Sequence, residues 1–410
     1  MPTPSLLIVP ARFKTGRLYS QIPTNTDNRG DFTVTRNTAA RRFNSAGLIE
    51  SVASGIPRLD YFTSGGVTGC PALLVEPAAT NSALRSEELD NAIWTNALWG
   101  NWSNATTASS TTIAPDGSTN AEELTFTTGT SSRLQRITGI AASTTYTFSM
   151  YVMGKAGNSY QNGIFLRIAT GFNNALVATS AATGRVDSTV SNTAWTRYSV
   201  TFTTPSSGVN EFNIGITTSN SGTNPNATMI CWGAQLETGS VATSYIPTTA
   251  GTGSRSADVI SVSGAVSGSI GQTEGTMYCE FEATNDASTR RLFTLSDGSQ
   301  TNRLMLVYSS SAWRAQMQGA TISLGNFISG YHKIAFAYQQ NGVSGNLFAS
   351  VDGGAVVSGT SATFPASLNM VNLGKIEDTG SSSFLNGRIR AAALYTTRLT
   401  NAELQSLTTL

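Results

Sequence analysis

Apolar and polar side chains alternate with a period of two along most of this chain. Tyr146, Phe148, Met150 and Val152 alternate with Thr147, Ser149 and Tyr151; Tyr198, Val200 and Phe202 with Arg197, Ser199, Thr201 and Thr203; and Phe212, Ile214 and Ile216 with Asn213, Gly215 and Thr217. Successive strand side chains point to opposite faces, so each run predicts a strand with one buried face, and such strands pack as pairs of sheets. The pattern resumes at Met277, Cys279 and Phe281 against Tyr278, Glu280 and Glu282. Further strands fit residues 292–295, 304–308, 313–317, 333–338 and 347–351.

Turn chemistry separates these runs at Pro115-Asp-Gly117, Gly154-Lys-Ala-Gly157, Pro205-Ser-Ser-Gly208, Asn220-Ser-Gly222 and Asp352-Gly353-Gly354. Two short helices are predicted. Ser86 is a good N-cap with Glu87 and Glu88 in the first turn, and Thr400 with Glu403 forms a capping box opening a helix through Leu407. Residues 73–75 form an apolar strand stopped by Pro77, with Glu76 expected as a structural salt-bridge partner.

Residues 1–85 differ from the rest. They hold one clear alternation, Phe32 and Val34 against Thr33 and Thr35, and too little periodic apolar surface for a core of their own. Counting charges gives nine Lys/Arg and five Asp/Glu here, against six and nine in residues 86–250 and ten of each in 251–410. The expected organisation is therefore an irregular, basic N-terminal docking segment, 1–85, followed by two antiparallel β-sandwich (jelly-roll) modules, 86–250 and 251–410, joined by a Gly/Ser/Thr-rich linker at 249–256. Charged residues make up only 12% of the chain, and Ser, Thr, Asn and Gly dominate the polar positions, which fits an all-β class.

The net charge of +1 supplies no field to attract nucleic acid or an acidic membrane. Arg36, Arg41 and Arg42 lack interleaved stacking aromatics and are read as a docking group, solvated or salt-bridging between subunits. No stretch approaches the ~20 apolar residues of a membrane span, and the four-residue apolar run near the N-terminus is too short for a secretory leader. Cys70, Cys231 and Cys279 are widely spaced and odd in number; each is read as a small buried apolar residue.

Candidate chemistry is sparse. Any Ser-His-Asp or Cys-His arrangement must use the single histidine, His332, which opens an apolar strand and is expected to make a structural hydrogen bond. The adjacent pairs Glu122-Glu123 and Glu377-Asp378 point to opposite faces of a strand, so their adjacency is no catalytic pair. No phosphate-binding glycine loop or metal-ligand motif occurs. Sugar rings stack on exposed aromatic faces, and Trp99 and Trp102, in a polar stretch, are the glycan-binding candidates; Trp195 and Trp232 lie in or beside periodic strands and are expected in the core. Catalytic residues, a metal and cofactors are not expected.

Two resemblances add to this. Asp352-Gly353, the strand around Arg388 to Tyr395 and Leu399-Thr-Asn-Ala-Glu403-Leu404 resemble, as a set, the concanavalin and laminin-G-like jelly roll across residues 270–408. That resemblance implies sugar binding, sometimes through calcium, but Asp297, Asp352, Glu377 and Asp378 are too scattered to assemble a calcium site.

The stretches Gly47-Leu-Ile-Glu50, Pro57-Arg58-Leu-Asp60-Tyr61, Leu73 to Asn81 and Ser86 to Trp94, with Gly233-Ala-Gln-Leu-Glu237 and Tyr245-Ile-Pro247 as a close, resemble tailed-bacteriophage virion proteins over residues 30–95 and 195–248. This resemblance implies a non-enzymatic structural component of a tail, baseplate, fibre or capsid surface. Such a component docks on other virion proteins through its N-terminal segment, assembles as a homotrimer and displays modules toward host-surface glycans. Deleting the N-terminal segment is then expected to leave the β modules folded. The alternative is a virion-associated enzyme that degrades host polysaccharide.

Overall fold

The computed structural model describes the chain apart from residues 24–29, 62, 65–66, 96–102, 127–130, 159–162, 171–175, 180–185, 208–210, 219–226, 285–287, 310, 327 and 376–382. It is an all-β protein built from antiparallel sheets, with a capped C-terminal helix at Asn401–Thr408. Among the described residues no helix is long and apolar enough to cross a membrane. The chain forms two compact units, one gathering Met1–Ala78 with Ser256–Leu410 and the other formed by Ala79–Arg255. The first unit is thus interrupted in sequence by the second.

This corrects the expected N-terminal docking segment. In the first unit an eight-stranded sheet places Ala72–Val75 between Gly387–Tyr395 and Leu59–Asp60, with Leu73 opposite both Ile389 and Leu59, while Leu6–Ile8 also pairs with Gly387–Tyr395. In the facing nine-stranded sheet Phe32–Thr35 pairs with Val259–Ser263, setting Val34 opposite Ile260. Phe32, Val34, Leu73 and Val75 share one core with Phe281, Phe293, Leu306, Phe336, Leu373 and Ile389. The early residues carry too little apolar surface for a separate core because they complete this one.

A buried ion cluster fixes the union. Arg58 donates from Nη1 to Glu76 Oε2 (2.6 Å) and from Nε and Nη2 to the Asp258 carboxylate, while Arg36 Nη1 donates to Asp258 Oδ1 (3.0 Å). Both guanidinium groups are fully buried. Burial works against the charge on Arg58, but Asp258 and Glu76 outweigh it and hold the group firmly protonated. Glu76 is the structural partner expected of it.

The second unit stacks two five-stranded sheets. One runs, in spatial order, Ser103–Asn104, Ser131–Thr138, Glu211–Thr218, Ile164–Thr170, Leu176–Thr179; the other runs Thr106–Ser109, Glu122–Phe126, Ala227–Thr238, Thr145–Gly154, Thr196–Thr203. Phe148, Met150, Val152, Phe212, Ile214 and Ile216 meet in the core, as their alternation predicts, together with Ile164 and Leu166. A bulge opposite Ser149 and Tyr151 changes the phase of the Ala227–Thr238 strand. Met229 and Cys231 face the core before it, Ala234 and Leu236 after it. Gly233 takes the left-handed turn (φ +68°), and a Cβ there would press on the rings of Tyr151 and Tyr245 at 3.3 Å.

Several local expectations change. The helix predicted from Ser86 is a run of turns; Arg85 sits at φ 53°, and the Ser86 hydroxyl pairs with Tyr245 Oη (2.6 Å) instead of capping. Within the expected linker, Gly253–Arg255 is a strand paired with Ala79–Asn81. Cys70 is exposed, whereas Cys231 and Cys279 are buried as expected. Trp232 is buried; Trp195 is only half-buried, its Nε1 donating to Ile113 O (2.9 Å).

Candidate functional site

The two outer faces of the second unit's sandwich differ. On the sheet containing Ala227–Thr238, the outer face is closed by the chain that follows it. Glu237 accepts from Thr243 N (2.8 Å), Thr243 Oγ1 (2.6 Å) and Gln235 Nε2 (2.6 Å). Gln235 Oε1 accepts from Ile246 N (2.7 Å), and Arg197 donates to Thr243 O (2.5 Å) and Ser149 Oγ (3.0 Å). From the other side Asn81 Nδ2 donates to Ala234 O (3.0 Å) and Ile246 O (2.8 Å). The Gln235, Glu237 and Tyr245-Ile246 signature is therefore a set of buried hydrogen bonds that straps residues 243–247 across the sheet.

The other sheet's outer face is not satisfied in this way. Register sets Ser132 beside Thr217, Leu134 beside Gly215 and Arg136 beside Asn213; on the far side of the same strand Phe165 lies beside Thr217 and Arg167 beside Gly215. These residues share one face, opposite to Phe212, Ile214 and Ile216. Ser132, Asn213 and Thr217 are at most 1% exposed, yet among the described residues Ser132 Oγ, Asn213 Oδ1 and Thr217 Oγ1 make no hydrogen bond. Buried polar atoms are normally paired, because an unpaired one costs about 1–3 kcal/mol. Three along one strand pair, with a half-buried phenyl ring in the same row, form a patch of hydrogen-bonding capacity spanning roughly 14 Å along the strand. Gly215 puts no side chain at its centre.

The inward-facing neighbours make the contrast plain. Gln135 closes on Leu84, accepting from its N–H (2.8 Å) and donating to its carbonyl (2.8 Å). Arg133 donates to Leu89 O and, at 3.2 Å, to Asn91 O. At the same edge a cleft of about 450 Å³ is lined by Ser82, Leu84, Ile93, Arg136, Ile140 and Tyr146, among others. Arg136 belongs to both the cleft and the patch, and its charge is met by Glu211.

The predicted site residues fall as follows. Trp99 and Trp102 lie outside the described residues. Arg36 is not available for docking: it is buried on Asp258 and on the carbonyls of Thr38, Ala53 and Ile56. Arg42 is paired with Glu50 (2.7 Å) and Leu59 O (2.9 Å), and Arg41 is half-buried beside it in Ala40–Phe43. His332 bonds Asp352 Oδ2 through Nδ1 (2.6 Å) and Ile328 O through Nε2 (2.7 Å), the structural role expected of it.

Glu122 and Glu123 diverge, as a strand requires. Glu123 pairs with Lys155 (2.5 Å), while burial, then the neighbouring Asp90, push the Glu122 carboxyl up to about 8 against the opposing pull of Arg133. Among the described residues no group of His, Cys, Asp and Glu is arranged to hold a metal ion; of the acids weighed for calcium, Glu377 and Asp378 lie outside those residues. Ser132, Asn213 and Thr217 were not singled out from the sequence. Their only signal was that the polar members of two alternating strands are hydroxyls and an amide instead of charged groups.

No protein-family model matches the chain, and no curated protein does. Among solved structures, the chain is similar to the IT-sialidase CBM40 of Ruminococcus gnavus, solved bound to alpha2,3 sialyllactose, with 16% identity over 34% of this chain and 84% of that one, at a TM-score of 0.29. It is also similar to the NanB sialidase of Streptococcus pneumoniae, with 17% identity over 36% of this chain and 26% of that one (TM-score 0.30). A sialidase mutant of Trypanosoma rangeli matches with 16% identity over 32% and 22% (TM-score 0.27). A likeness this partial says nothing of what the chain binds.

Proposed function

We propose that this protein is a non-catalytic glycan-binding component of a bacteriophage virion appendage, and that its second unit holds the glycan in the cleft of about 450 Å³ lined by Ser82, Leu84, Ile93, Arg136, Ile140 and Tyr146. The observation that carries the binding role is that this cleft sets a hydroxyl and a guanidinium beside apolar side chains. A saccharide presents hydroxyls that both donate and accept, which suits the Ser82 hydroxyl and the Arg136 guanidinium, and an apolar ring face that suits Ile93 and Ile140. The virion setting, and with it a trimeric assembly on other virion proteins, rests on the resemblance carried by Gly233 to Glu237 and Tyr245 to Pro247.

The test is isothermal titration of the purified protein with fragments of host-envelope polysaccharide, alongside an assay for released reducing ends. Saturable binding without release supports the proposal. Catalytic release of reducing ends would replace it with the degrading-enzyme reading, and no binding to any fragment would remove the glycan role.

A further inference from the structure

We propose a second saccharide site, in the first unit, on the outer face of its nine-stranded sheet. The strands Arg303–Ser309 and Ala312–Met317 pair with Met305 beside Gln316 and Val307 beside Arg314, while Leu304, Leu306, Trp313 and Ala315 turn to the core. The outward residues Met305 and Val307 are buried as a small apolar pair separate from that core. Above them lies a groove of about 400 Å³ lined by Gln300, Thr301, Arg303, Met305, Gln316, Gln318 and Gly319. A groove of that volume falls within the roughly 300–1,000 Å³ of small-molecule sites.

Its lining is matched to a polyol. Three primary amides, a hydroxyl and a guanidinium surround a thioether floor, and each amide both donates and accepts. One wall is held rigid. Gln318, at φ 51°, donates from Nε2 to Asn302 Oδ1 (2.7 Å), and Asn302 donates in turn to Asp297 Oδ2 (2.8 Å) and Ala366 O (2.6 Å). This relay fixes the amide and keeps its Oε1 as an acceptor, so binding loses little side-chain entropy there. The Gln316 amide, next to the Met305 floor, makes no hydrogen bond among the described residues. Nucleic acid would need several cations and stacking aromatics, and this lining offers one Arg and no aromatic ring. The ligand class is therefore a short saccharide, seated with its C–H face on Met305 and its hydroxyls on Gln316 and Gln318.

Saturation-transfer NMR and titration of the full chain with a panel of methyl glycosides of common hexoses, deoxyhexoses and N-acetylhexosamines test this site. At least one glycoside is expected to bind with an affinity that falls fivefold or more in Gln316→Ala. A crystal soaked with that glycoside is expected to show it against Met305 and Gln318. If every bound glycoside is insensitive to Gln316→Ala, or if the soaked glycoside lies elsewhere, the site is wrong. Glycosides lost in Arg136→Ala but not in Gln316→Ala would leave the first proposal standing and overturn this one. A panel with no binder overturns it as well, while longer polysaccharide fragments still test the cleft of the second unit.

Discussion

Arg58 and Asp258, 200 residues apart in sequence, form one buried ion pair in which two guanidinium nitrogens meet the two carboxylate oxygens. Glu76 N–H also donates to Asp258 (3.1 Å) and its carboxylate takes the third Arg58 nitrogen, so one acid from the late part of the chain organises three residues of the early part. A buried pair of this kind is not strong evidence of net stabilisation, but losing one partner leaves a buried charge uncompensated.

Replacing Asp258 by Ala is accordingly expected to destabilise the first unit by about 3–5 kcal/mol. Chemical denaturation followed by probes in each unit separates the effect. The transition of the first unit shifts to lower denaturant while that of Ala79–Arg255 stays in place. A shift in both, or in neither, would contradict the assignment of the cluster to the first unit.

Truncation makes the same point at larger scale. The fragment 79–255 has its own core and is expected to fold alone, with a cooperative melt and dispersed NMR signals. The fragment 256–410 lacks the strands Ala72–Val75 and Phe32–Thr35 and leaves Asp258 without Arg36 and Arg58. It is expected to be insoluble or molten. A native-like melt of 256–410 would restore the view of residues 1–85 as a separate adaptor.

What was legible in the sequence follows from the physics of each signal. Alternation at Tyr146 to Val152 or Met277 to Glu282 is local and strong, so those strands and their buried faces were readable, as was the Thr400–Glu403 capping box. The partner of a strand is not local. Leu73 to Val75 read correctly as a strand, but nothing in it names Ile389 or Gly387 as neighbours, so the early segment looked independent. Ser86 had the residue type of an N-cap, yet a hydroxyl drawn to Tyr245 and Thr248 was invisible at 159 and 162 residues' separation. The outer-face patch was hidden for the opposite reason: Ser132, Asn213 and Thr217 look like ordinary solvent-facing positions until burial shows they are not.

That patch costs the fold stability. Thr217→Val keeps the shape of the side chain and deletes a buried hydroxyl with no partner, so the fold is expected to gain up to about 1 kcal/mol. Thermal melting of the two proteins checks this. A stability loss above about 1 kcal/mol would show that the hydroxyl is satisfied in solution and that the patch is structural.

Glu122 makes the second unit sensitive to pH. Its carboxyl lies at the end of Glu122–Phe126, opposite Cys231, with Asp90 and Arg133 as the charged groups that face it. Arg133 at the same time ties down the turn at Leu89 and Asn91. The folded-state value near 8 stands above the ordinary 4.5, chiefly through burial. The native state therefore keeps a proton that the unfolded chain has released between those values, so stability falls as pH rises through that window and levels off above it. Allowing for the partial solvation of this edge, the loss is about 1–3 kcal/mol. Glu122→Gln keeps the hydrogen-bonding shape without the titration and should flatten the dependence, raising the melting temperature of the second unit at pH 9 while changing it little at pH 4. Melts of fragment 79–255 and its Gln variant from pH 4 to 9 decide this, and parallel curves for the two would mean that Glu122 is already ionised in the folded unit.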